Sequence, residues 1–297
     1  MVSSASVSQA NNVPIGAYQL RTDQRGFDAL ADLHNRLSHF RDAVVAIDFT
    51  NVFWIDGHLA GPLLTIVSHA RMQGNTIKLR GFKEDVLLIL KKNGFLTDSA
   101  VDSYHTTIPV KFFSLSQEVE FAAYTRLHLG RKEMPKMSKA LTGKIFEGID
   151  ELFANCSLHS HSPVKVVATG QFFPRSARLS FAISDGGRGI DGSLSSAGIT
   201  YKSPEQAIDW AMQSNNTSRR GDIPGGLGLK LLRDFIHFNK GNLLVVSNKG
   251  LWRQSGKEVT TARLRNPFPG TAVVLEIMTN DDHVYDLKSS PDPRDIW

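Results

Sequence analysis

The sequence predicts an α/β fold in two parts, and three observations predict it. Short β-branched apolar runs alternate with helically spaced apolar residues early in the chain. A second series of helices and strands begins after Pro135. At 297 residues the chain is too long for one typical domain and suits two. The division this suggests is a disordered tail over 1–12, a first domain over 13–112, a connector over 113–136, a second domain over 137–280 and a tail over 281–297.

Residues 1–12 are rich in Ser, Ala, Asn and Gln, a composition that builds no core. Phe27, Leu30, Leu33, Leu37 and Phe40 recur at helical spacing. Val44 to Phe49 reads as a buried strand. His58 to Gln73 is a second helix, which Gly74-Asn75 ends. Thr76–Arg80 is a strand, and Lys83 to Lys92 is a helix stopped by Asn93-Gly94. The connector carries a short helix. Met137 to Phe153 is amphipathic, and Val164–Thr169 and Leu179–Ser184 are strands. Asp185–Thr200 reads as a Gly- and Ser-rich loop, Lys202–Gln213 as a helix and Ser214–Pro224 as a polar loop. A helix over Leu227–Phe238 precedes strands at Leu243–Ser247 and Ala272–Met278.

Composition excludes several classes. Hydrophobic content of 41% and charged content of 21% are those of an ordinary globular protein. The net charge of +5 is spread along the chain, without a Lys/Arg block that would point to nucleic acid. Cys156 is the single cysteine, so no disulfide forms within the chain. The N-terminus lacks signal-peptide character, and no apolar run approaches the ~20 residues of a membrane span. The expectation is a soluble, cytoplasmic protein without a membrane partner.

Three segments carry chemistry. Glu151 and Asn155 are four residues apart and share one helix face, where a carboxylate and an amide can orient water and ligate Mg²⁺. Leu152 and Phe153 are expected to point away and pack on the sheet. Ser184-Asp185-Gly186-Gly187-Arg188-Gly189 follows an apolar strand; its Asp can accept from an exocyclic amine, and its glycines let backbone approach a flat ring. Gly225-Gly226-Leu227-Gly228-Leu229 opens a helix, exposing N–H groups to an anion. Each alone has an ordinary explanation: a solvated helix face, a tight turn, a Gly-rich loop.

Together and in this order they resemble the asparagine box and the two glycine boxes of GHKL ATP-binding domains. That superfamily is shared by sensor histidine kinases, anti-sigma-factor kinases, gyrases and chaperone ATPases. Gly270-Thr271-Ala272-Val273-Val274-Leu275-Glu276-Ile277 is similar to its closing strand. The resemblance implies a Bergerat α/β sandwich with helices on one face of a mixed sheet, and it implies ATP and Mg²⁺. Asp185 would read the adenine amine, with Gly187 and Gly189 making room for the base. Asn155 would hold Mg²⁺. Gly226, Leu227, Gly228 and Leu229 would turn N–H groups to the phosphates. Glu151 takes the general-base position, where typical sensor histidine kinases more often have Asn. His159, four residues beyond Asn155, is similar to the anti-sigma-kinase pattern and would approach the phosphates. Arg219 and Arg220 fall in the lid and would pair with phosphate oxygens. One departure is Pro224, which replaces a glycine and has no N–H to donate. Cys156, His159 and His161 lack the second ligand cluster that zinc needs.

Asp48 to Leu64 resembles the centre of a STAS domain, the fold of anti-sigma-factor antagonists. Asp56 matches that family's Asp, but its phosphorylated serine falls on His58 and the serine's neighbour on Gly57. A serine switch is therefore absent. The joint reading is a Mg-ATP-binding regulatory protein in which binding or slow hydrolysis switches contacts with the STAS-like part or with a partner protein. The alternatives are a protein serine kinase resembling anti-sigma kinases, and a non-catalytic ATP sensor. A homodimer is compatible with either.

Overall fold

The computed structural model describes residues 10–213, 227–280 and 283–286. It is a mixed α/β structure: parallel sheets with helices in the N-terminal part, then a five-stranded antiparallel sheet packed with helices.

In the N-terminal part β1 (Asn11–Pro14), β3 (Val44–Asp48) and β5 (Thr76–Arg80) form a parallel sheet in the order β1-β3-β5. Asn11 and Asn12, expected in the disordered tail, pair instead with Val45 and Ala46. Their backbone N–H and C=O groups find a strand edge, which outweighs a polar composition. β2 (Gln19–Leu20) pairs with β4 (Trp54–Ile55). α1 (Gln24–Leu37) starts at Asp23, whose carboxylate accepts from Gly26 N at 2.8 Å. A 3-10 turn (Gly57–Leu59) leads into α2 (Ala60–Met72), and α3 is Glu84–Lys92.

The second sheet has the order β6-β7-β8-β10-β9, from β6 (Thr107–Phe113), β7 (Val166–Phe173), β8 (Arg178–Asp185), β9 (Asn242–Ser255) and β10 (Glu258–Met278). Every pairing in it is antiparallel, where a mixed sheet was expected. For two of the pairings the reason is local: β7–β8 and β9–β10 are joined by connections too short for a parallel crossover. β6 is an edge strand of this sheet, although residues 107–112 of it were expected in the first domain. β9 and β10 run far beyond the predicted strands and form one long hairpin. α4 (Glu118–Leu129), α5 (Lys139–Asn155), α6 (Gly189–Ser196), α7 (Pro204–Met212) and α8 (Leu227–Asn239) complete the elements.

Alternation along the strands sends residues to two cores. Phe181 and Ile183 of β8, Val245 of β9 and Leu275 of β10 join Phe121, Ile149, Phe153, Leu232 and Ile236 from α4, α5 and α8. Their neighbours Ala182, Leu244 and Val274 face the other way, into a core with Phe27, Leu30, Leu63 and Ile66 of α1 and α2. Both faces of the sheet are thus covered. Polar contacts tie the second face: Asp28 accepts from Arg265 N at 2.8 Å, Gln171 Oε1 accepts from Gly57 N at 2.5 Å, and Phe27 meets Phe268 edge to face. Among the described residues, no helix is long and apolar enough to cross a membrane.

Candidate functional site

α5 begins at Ser138, which caps Leu141 N. One side of the helix is buried, with Phe153 stacked on Phe121 at 4.6 Å between ring centroids. Glu151 and Asn155, one turn apart and half-buried, face a cavity of about 160 Å³. Leu152 was expected to pack elsewhere, yet it forms part of the cavity wall. After Asn155 the helix widens into a π-helical turn (Cys156–Ser160), which His161 ends in the left-handed region at φ 48°. Such turns recur at functional sites. This one brings Cys156, His159 and Ser160 to the same cavity.

Asp185, the last residue of β8, is 3% exposed and lies at the cavity. Its Oδ1 accepts from Gly187 N at 2.8 Å. Its Oδ2 accepts from the Cys156 thiol at 3.6 Å, a weak donor. Burial pushes the Asp185 pKa up to about 6; hydrogen bonds from Gly187 N, Cys156 and Thr271 N–H oppose the rise without cancelling it. Burial and the neighbouring Asp185 push the Cys156 thiol up as well, so it is a neutral donor. Gly270 sits at φ +81°, and a Cβ there would lie 2.3 Å from the Asp185 carbonyl. The closing strand can therefore come this close only with glycine at that position.

Asp185–Thr200 is not all loop. Gly189, at φ +74°, leads into α6, where Ile190 N is held by Ser247 Oγ at 2.8 Å. Ile190 and Leu194 are four apart and both line the cavity, a helical pair hidden in a Gly/Ser-rich composition. Val245, Val273 and Ile183 form further apolar wall, and Trp210 and Met212 of α7 line another side.

The predicted residues fall into four groups. Glu151, Asn155, His159, Asp185, Gly189 and Leu229 line one cavity. Leu227 and Gly228 open α8, and Leu229 N donates to Glu151 Oε2 at 3.2 Å, so Glu151 lies at the anion-attracting end of that helix. Gly187 stands behind the cavity, where a Cβ would lie 2.0 Å from the Ser160 carbonyl; it makes room for the π turn. Arg219, Arg220, Pro224 and Gly226 lie outside the described residues. Sequence reasoning missed Cys156 as a partner of Asp185, together with Thr271, Trp210 and the wall of α6. Gly270-Thr271 was the available signal, since a glycine beside an apolar strand marks a close approach.

His58 lies elsewhere and is fully buried. Its Nε2 is 2.6 Å from Thr22 Oγ1, which itself donates to Asp56 Oδ2 at 2.9 Å. The hydroxyl has one hydrogen, so Nε2 carries the imidazole proton and Nδ1 is left a bare acceptor. Burial holds the His58 pKa at about 4 against the upward pull of Asp56.

No protein-family model matches the chain, and no curated protein matches it.

Proposed function

We propose that the chain is a Mg-ATP-binding regulatory protein with a GHKL-type nucleotide site and a STAS-like N-terminal part, acting in the cytoplasm. One observation carries the reading. Glu151, Asn155, Asp185, Gly189 and Leu229, from motifs far apart in sequence, converge on one cavity. Its volume of about 160 Å³ compares with a ~150 Å³ cavity that takes benzene, so it suits a flat heteroaromatic base. A triphosphate then has to run outward, toward the N-terminus of α8.

Asp185 fits the exocyclic amine: it is buried, stands among apolar walls, and is incompletely satisfied by a thiol and two N–H groups. Asn155 offers a hard oxygen beside Glu151, which suits Mg²⁺. Bound Mg²⁺ would supply charge neutralisation at the phosphates. The N–H groups of α8 favour negative charge, and Glu151 occupies that position here. Glu151 is also placed to accept a proton from an attacking water or from a partner's serine hydroxyl. His159 stands on the same rim as Asn155. Nucleotide exchange would alter contacts with the N-terminal part or with a partner protein.

Incubation with γ-labelled ATP tests the reading, comparing wild type with Glu151→Ala and Asp185→Asn. Free phosphate that disappears in Glu151→Ala supports hydrolysis. Label on a partner's serine supports the kinase alternative, and binding without turnover supports the sensor. Failure of the wild type to bind ATP would sink the proposal.

A further inference from the structure

α2 lies across the back of β8, directly behind the cavity. Because side chains alternate along a strand, Asp185 faces the cavity and Ser184 faces α2. Thr65 of α2, fully buried, donates through Oγ1 to Ser184 Oγ at 3.0 Å. One turn further along α2, His69 Nε2 is 2.7 Å from the Gly186 carbonyl. A carbonyl only accepts, so Nε2 carries the hydrogen. The approach requires glycine: a Cβ on residue 186 would lie 2.4 Å from His69 Nε2 and 2.5 Å from Val164 Cγ2. Both chain neighbours of Asp185 are thus gripped by one helix of the N-terminal part. His69 in turn meets His34 of α1 edge to face at 5.7 Å. The other end of α2 follows the turn that holds the buried His58.

We infer that Thr65 and His69 are positioning residues for Asp185, through which the N-terminal part sets the affinity of the nucleotide cavity. The inference rests on the ATP reading. Neither residue lines the cavity; they act through the hydroxyl of Ser184 and the carbonyl of Gly186. A rigid helix bonded to residues on both sides of the base-reading carboxylate transmits a shift at its far end to that carboxylate. The coupling is reciprocal, so nucleotide in the cavity changes the environment of the His69 ring.

The test uses the full chain and Mg-ADP. Affinity is measured for wild type, His69→Ala and His69→Gln, with circular dichroism as the check on folding. The His69 ring resonance of the wild type is followed by NMR during the titration. His69→Ala should bind about tenfold more weakly. His69→Gln, whose amide can donate to the same carbonyl, should recover most of the loss, and the His69 resonance should move as ADP is added. Equal affinity of wild type and His69→Ala, or a Gln variant as weak as Ala, overturns the inference and leaves the ATP reading standing. If His69→Ala does not fold, a His69 signal unmoved by bound ADP overturns it equally. A wild type that binds no ADP overturns both readings together.

Discussion

Asp56 and Asp185 are equally buried, each 3% exposed, and their chemistry is opposite. Burial pushes both carboxyls up. At Asp56 the push is outweighed by His58 and by hydrogen bonds from Trp54 Nε1, Thr22 Oγ1 and Thr22 N, and its pKa falls below the ordinary value. At Asp185 the partners are two N–H groups and a thiol, and its pKa rises to about 6. The first carboxylate is a finished structural element. The second is held in a state that a further donor would relieve, and it borders a cavity large enough to admit one. Burial alone therefore does not mark a site; burial with donors too weak to offset it does.

The largest expected effect separates the two carboxylates directly. Asp56→Ala removes the buried acceptor of Trp54 Nε1, Thr22 Oγ1 and Thr22 N and should cost about 3 kcal/mol in urea unfolding. Asp185→Asn removes an ill-solvated charge. Its stability should stay level or rise by up to about 2 kcal/mol. Equal losses in the two variants would break the comparison.

Dependence on pH has opposite sign at the two sites. Burial, first among its causes, holds His58 and His34 at about 4, below the 6.5 of an unfolded chain. Between pH 6.5 and 4 the unfolded chain takes protons that the folded one refuses, so stability falls as pH falls. Asp185 works the other way. Its folded pKa of about 6 exceeds the unfolded 3.8, so its protonation adds stability as pH falls through that window. His58→Gln should flatten the acid loss and Asp185→Asn should steepen it, as read from urea midpoints at several pH values.

The smallest effect comes from a carboxylate that is paired but exposed. Arg126 binds Asp150 through two hydrogen bonds, of 2.7 and 3.1 Å, at the surface. Arg126→Ala should change stability by less than about 1 kcal/mol, with added salt shrinking the difference. A loss as large as that of Asp56→Ala would show that pairing, and not burial, dominates these sites.

What the sequence made legible was local. Glu151 and Asn155 share a helix face by spacing alone, and Asp185 stands out as an acid at the end of an apolar strand before glycines. α6 stayed hidden because Gly and Ser carry no periodic signal, although Ile190 and Leu194 keep helical spacing. The length of β10 stayed hidden because Pro267 and Pro269 have no N–H to give a ladder. The strand absorbs them in two register shifts, between Arg263 and Phe268 and between Phe268 and Thr271. The roles of Gly187, Cys156 and Trp210 depend on contacts across the fold that no window of sequence contains. The same holds for the grip of Thr65 and His69 on β8, which joins residues more than a hundred positions apart.

Calorimetric titration of the full chain with Mg-ATP at neutral pH, on wild type and Asp185→Asn, tests the central claim most directly. The account predicts saturable binding by the wild type, weakened about a hundredfold in the folded Asn variant through loss of a charged hydrogen bond. No binding by the wild type, or equal binding by both proteins, would contradict it.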